Sequence, residues 1–265
     1  MASKTQCLSG AGWWFTAFLF FFSLVNSVVA QSTNNPVFAA RAAAEFQRAQ
    51  IQRQSDTNDF AALWHFARAC YDFADFATND TERATVAVQG IAASRQLLAH
   101  RPQSAPGHYY LGMNLGQLAR TEILGALKIV REMEREFKKA DDLDEHFDYA
   151  GPARCLGLLY RDAPGWPTSI GSRRKAREWL ERAAKLAPDY PENHLNLIES
   201  RLNWNDRTGA EGELKTLDAL WPTAQTNFVG AAWEQSWADW TVRKRAAEQA
   251  LTQTPRPAES PKARH

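Results

Sequence analysis

The chain has 265 residues and carries 31 Lys and Arg against 30 Asp and Glu, a formal net charge of +1. So even a balance excludes the strong general attraction to nucleic acid or anionic lipid that a basic protein shows. Beyond a leader, the length suits one long repeat domain or two small globular ones.

The chain opens with Lys4 and an apolar run from Trp13 to Val29, closing on Val28-Val29-Ala30. A positive start, a short apolar stretch and a small-residue exit predict a secretory signal over residues 1–30, cleaved after Ala30. That address is periplasmic or secreted; a retained segment would instead anchor the chain in a membrane. No Cys follows the run, so a lipoprotein anchor is not expected. Cleavage removes Lys4 and no acid, leaving a mature charge of zero.

Residues 31–58 read as a leader, then a helix from Val37 to about Gln54, then the turn Ser55 to Asp59 with several N-cap candidates. Degenerate helical repeats are predicted over 59–222. The first sets Trp64, Ala67, Arg68 and Tyr71 at repeat spacing, with Arg68 where a small residue belongs. A long helix from Glu82 to about His100 follows. The next unit offers His108, Leu111-Gly112 and Leu115, then a helix from Thr121 to about Leu143. Its apolar stripe is Ile123, Leu127, Val130, Met133 and Phe137; the opposite face, Glu136 included, reads as solvated. The acidic run Asp141 to Asp148 lacks a calcium-loop pattern and reads as a solvated turn, with no metal expected.

The pattern is clearest from Gly151 to Pro222. Leu156-Gly157 and Tyr160 fit a first helix, and Ala176, Leu180, Ala183 and Pro188 fit a second. Ala210, Leu214, Leu217 and Pro222 repeat the same 4, 3, 5 intervals, with Pro222 standing 34 residues beyond Pro188. Small residues let helix axes approach, and each proline is expected to end its helix. Seven extra residues enlarge the loop 162–171, with Trp166 and Ile170 as apolar anchors. Trp166 either stacks on a ligand at a groove or, as favoured here, lies buried where the loop folds back. Trp233, Trp237 and Trp240 share one face of a helix within 223–251, read as the cap of the array. Residues 252–265 carry three prolines and no large apolar residue, and read as a disordered tail. Cys70 and Cys155 fall two units apart, too far for a disulfide, and read as buried packing sites.

These residues resemble the tetratricopeptide repeat (TPR). The fold class expected is all-α, a TPR-like helical-hairpin solenoid with N- and C-terminal capping helices. Gly151-Pro152, Leu156-Gly157, Gly171 and Ala176 are also similar to the TatT-like T component family of TRAP transporters. That resemblance implies a periplasmic all-α protein with a ligand groove or pore, working beside a solute-binding protein.

Function reads as binding rather than catalysis. HExxH, Walker, Gly-x-Ser-x-Gly and dinucleotide motifs are absent from the sequence, so no enzyme activity and no cofactor are expected. The expected partner is a protein, a peptide or a small solute held on the concave side by first helices. His108, Tyr109, Asn114, Arg154, His194, Asn196 and Arg201 are the candidates there. Trp166 joins them from the loop, and Arg120 joins Arg154 in holding an organic acid.

Overall fold

In the computed structural model, residues 35–55, 59–122 and 125–253 are described. The expected signal segment, most of the leader, Ile123 of the stripe and the tail beyond Gln253 lie outside them. Among the described residues there are ten α-helices, one short 3-10 turn and no strand. They are α1 (Pro36–Ser55), α2 (Phe60–Ala74), α3 (Asp80–His100), α4 (Ala105–Ala119) and α5 (Ala126–Leu143). Then follow α6 (Phe147–Asp162), α7 (Arg173–Leu186), α8 (Pro191–Asn203), α9 (Arg207–Asn227), the 3-10 turn (Ala231–Trp233) and α10 (Glu234–Thr252).

Local chemistry starts most of these helices. Asp59, Asn79, Ser104, Ser172 and Asp206 each accept a backbone N–H of the first turn, while Pro106 and Pro191 take early positions where no N–H is needed. Helices α2/α3, α4/α5, α6/α7 and α8/α9 form hairpins, with α1 packed ahead of α2. The first helices α2, α4, α6 and α8 touch one another in a row that α10 continues beyond α8. The second helices of successive hairpins make no comparable contact among the described residues. Helices packed on one side and splayed on the other give a curved array with the first helices inside. Arg41 of α1 pairs with Glu234 of α10 at 2.7 Å and donates to the Ala231 carbonyl, so the curve brings the two ends of the array together.

Small residues set the hairpin spacing. A Cβ on Gly112 would stand 2.5 Å from the Phe137 ring, and one on Gly157 would stand 2.6 Å from Leu180 Cγ. Leu156, Tyr160, Ala176, Leu180 and Ala183 are buried, as are Ala210 and Leu217 at the matching places of the next unit. Full burial of such a leucine contributes about 1.5–3 kcal/mol.

Several sequence expectations change. In the first hairpin the buried set is Leu63, Phe66, Ala67, Cys70 and Ala74, one residue earlier than the assigned register. One residue turns a helix by about 100°, so Arg68 and Tyr71 leave the hairpin seam and Ala67 is the small contact residue. Pro222 does not end its helix; α9 runs through it to Asn227. An interior proline costs about 3 kcal/mol, offset here by the burial of Ala224 and Phe228 against the Trp240 cluster. Helix α5 begins at Ala126, not Thr121. Glu136 is buried rather than solvated, because His108 and Arg135 hold its carboxylate. Trp166 is not buried: it is 89% exposed, and Ile170 alone anchors its loop to the core. Gly171 donates to the Pro164 carbonyl at 2.9 Å, and a Cβ there would lie 2.0 Å from the Ala163 oxygen. The loop thus closes on backbone contacts that leave the indole outside.

Trp233, Trp237 and Trp240 pack with Tyr190, Phe228 and Leu217 where α10 meets α8 and α9. Trp233 lies in the 3-10 turn rather than in the helix, and Trp240 is fully buried. Cys70 is buried and Cys155 half-buried; both are free thiols.

Candidate functional site

The inner row of helices starts from the register of α2. With Leu63, Ala67 and Cys70 in the seam, Arg68, Tyr71 and Asp72 emerge on the concave side. Arg68 pairs with Asp72 at 3.5 Å, and the two side chains are 56% and 49% exposed. Solvent reaches Asp72, yet the channel walls remove much of its hydration. Burial pushes its carboxyl up to about 6; Arg68 opposes this, and Asp75 and Asp148 add to it. Burial first, then Asp75, Cys155, Asp72 and Glu192, hold the Tyr71 phenol well above its usual range. Glu192 stands on α8, and the curve that joins Arg41 of α1 to Glu234 of α10 turns α2 and α8 toward the same concave channel.

The middle of that channel is built on a left-handed turn. Asp148, Tyr149 and Ala150 have φ of 52°, 56° and 60°. Each such L-residue costs roughly 1–2 kcal/mol, and the turn persists because side chains from three helices fix it. Arg154 donates to the carbonyls of Asp148 and Tyr149, to Asp148 Oδ2 at 3.0 Å and to Asn193 Oδ1 at 3.1 Å. Asn193 donates to the Tyr149 carbonyl, and Tyr109 donates to Asp148 Oδ2 at 2.7 Å. The right-handed part of α6 then starts at Gly151-Pro152. Tyr149 is left 40% exposed, stacked on Tyr190 at 4.5 Å.

The far wall comes from α8 and α10. Arg243 donates to Glu192, Glu199 and Asp239 at 3.2, 2.7 and 3.0 Å, and Trp240 Nε1 donates to Glu192 at 3.0 Å. Burial raises the Glu192 carboxyl, but the Arg243 and Arg154 charges and these hydrogen bonds outweigh it and bring it below its usual range.

The sequence-predicted residues do not gather at one place. His108, Asn114, His194 and Arg201 serve the packing of hairpins, while Asn196 holds Arg243 on the α8/α10 wall. Asn114 Nδ2 bridges the carbonyls of Ala67 and Tyr110, with Gly90 leaving room for its amide. Asn196 Oδ1 accepts Arg243, and Arg201 reaches the Gly209 carbonyl and Glu181. Arg120 pairs with Asp75 at 3.1 Å, and Trp166 sits on its loop. Tyr109 and Arg154 do border the channel, with their polar atoms spent on the left-handed turn. Sequence reading missed Arg68, Tyr71, Asp72, Tyr149, Glu192 and Arg243. The register of α2 carried the signal for the first three; no local pattern marks the others. Burial pushes the Cys70 thiol up to about 12 and the Cys155 thiol up to about 11, so neither is a reactive thiolate at neutral pH.

The hairpin array matches the crystal structure of a thermophilic TPR protein from Thermus thermophilus. The TM-score is 0.54 at 19% sequence identity, over 85% of this chain and 98% of that one. The fold is TPR-like. Residues 37–148, spanning α1 to α5, match the family described as Regulator of microtubule dynamics protein 1-3. No curated protein matches the chain.

Proposed function

We propose that this protein is a TPR-like scaffold whose concave channel holds an extended segment of a partner protein. The observation that carries the reading is the row of first helices with solvent-reached, chemically mixed side chains: Arg68, Tyr71, Asp72, Tyr149 and Glu192. They stand on rigid elements, so a partner segment binds without first ordering the site. A photo-crosslinking amino acid at Tyr71 or Tyr149 tests it. Capture of one partner from these positions, but not from Glu178 on the outer helix α7, supports the reading. Equal capture from both faces contradicts it.

The scaffold works in the periplasm, after removal of residues 1–30, as the apolar leader and its small-residue exit support. Amino-terminal sequencing of the mature protein checks this; a chain starting at Met1 refutes it. The Gly151-Pro152, Leu156-Gly157 and Gly171 resemblance supports a narrower role as an accessory T component of a TRAP transporter, carrying a small organic solute. Co-purification with a solute-binding protein decides that role. The family match over residues 37–148 supports a competing reading, a role in microtubule dynamics in place of the periplasmic one, and co-sedimentation with assembled microtubules tests it.

A further inference from the structure

The charged groups of the channel do not balance. Arg68 answers Asp72 and Arg154 answers Asp148, one guanidinium to one carboxylate in each case. On the α8/α10 wall, a single guanidinium, Arg243, answers Glu192, Glu199 and Asp239. Arg154 also bears on Glu192, but it already pairs with Asp148. Counting Asp72, Asp148, Glu192, Glu199 and Asp239 against Arg68, Arg154 and Arg243, the channel holds two more carboxylates than guanidiniums, although the chain as a whole is close to neutral. Arg243 and Trp240 engage both oxygens of Glu192, and Arg243 both oxygens of Glu199, yet the two side chains stay 29% and 33% exposed, so solvent or a ligand still reaches one side of each carboxylate. Across the channel, the second carboxylate of interest, Asp72, reaches solvent beside Tyr71. Walls of low polarizability concentrate such a field rather than letting water disperse it.

We infer that the partner segment held in this channel is basic, an extended peptide whose Lys or Arg side chains lie between the α8/α10 wall and Tyr71 and Tyr149. The proposal rests on the scaffold reading and adds the chemistry of the occupant. Complementarity runs in two forms. The excess carboxylates attract the cationic heads, and the half-buried Tyr71 and the open face of Tyr149 offer cation–π contact. A small organic anion meets the opposite sign of field and is repelled from the same place.

The test is fluorescence anisotropy of the full chain with labelled 12-residue peptides of three kinds: Lys/Arg-rich, Glu-rich and uncharged. The Lys/Arg-rich peptide is expected to bind tightest, and its affinity to fall at least about tenfold between 50 and 300 mM salt. Glu192→Gln and Asp72→Asn, each checked for folding by circular dichroism, should weaken it roughly three- to tenfold. Glu178→Gln on the outer face should stay within about twofold. Equal binding of the uncharged or acidic peptide, or channel variants indistinguishable from Glu178→Gln, overturns the inference. If an uncharged or acidic peptide binds and Tyr149→Ala abolishes that binding, the scaffold reading stands and only the charge assignment falls. If no peptide binds and crosslinkers at Tyr71 and Tyr149 capture nothing, both fall.

Discussion

His108 and His194 make the same clasp in two different hairpins. Each Nδ1 lies 2.6 Å from a glutamate of its own second helix, Glu136 or Glu213. Each Nε2 lies at 3.0 or 2.7 Å from the carbonyl of the proline six residues earlier, Pro102 or Pro188. A carbonyl only accepts, so each Nε2 donates to it, and each Nδ1 faces a carboxylate oxygen at hydrogen-bond distance. The clasp ties the turn before a first helix to the second helix of the same hairpin.

Removing either imidazole takes a short contact from a largely buried carboxylate, and Arg135 alone then holds Glu136. His108→Ala and His194→Ala should each lower stability by about 2–3 kcal/mol, read from urea unfolding. The two losses should add, since the clasps share no partner. Costs below about 0.5 kcal/mol would show that the clasps are incidental.

The glycines divide by what a methyl would meet. Gly112→Ala and Gly157→Ala push into Phe137 and Leu180, and each should destabilise by about 1–3 kcal/mol. Nothing lies within 4 Å of a Cβ on Gly212 in α9, so Gly212→Ala should stabilise by about 0.5–1 kcal/mol. Thermal unfolding midpoints of the three variants give the signs directly.

The left-handed turn predicts an inverted glycine effect. In a right-handed helix Ala→Gly costs about 0.5–1 kcal/mol, but Ala150 has φ of 60°. Ala150→Gly should therefore be neutral or stabilising by up to about 1 kcal/mol. A loss near 1 kcal/mol would mean that the backbone there is right-handed.

The hairpin pattern was legible from residues 151 to 222 because sterics fix it. Gly157 against Leu180, and Ala176, Ala183 and Ala210 at helix seams, admit few alternatives. The α2 register was not legible, since Trp64 and Tyr71 fit a repeat template despite the misfit of Arg68, and only the packing of Leu63, Phe66 and Cys70 shows Ala67 to be the small contact residue. Pro222 misled because its local penalty is outweighed by the distant Trp240 cluster. The clasps were hidden because the two histidines precede their glutamates by different sequence intervals. The channel residues arise from curvature, which brings α2, α6, α8 and α10 together without any local motif.

Asp72 gives the channel a pH signature. Its folded value, about 6, is raised above the ordinary aspartate range. The folded state thus holds its proton more tightly than the unfolded state. Stability from this group is complete below the unfolded value and is lost as pH rises through about 6. Asp72→Asn should raise the unfolding midpoint relative to wild type at pH 7.5, and the difference should shrink by pH 4.5. An equal difference at both values would remove Asp72 as the titrating group.

The curvature that places α2 opposite α8 underlies the whole account, and a spin-label distance between Tyr71→Cys and Glu192→Cys measures it most directly. The buried Cys70 and half-buried Cys155 leave little competing reaction. A distance of roughly 10–20 Å, about one to two helix spacings across the channel, is the expected result. A distance of about 30 Å or more, as three successive helix spacings in a straight row would give, would contradict the channel.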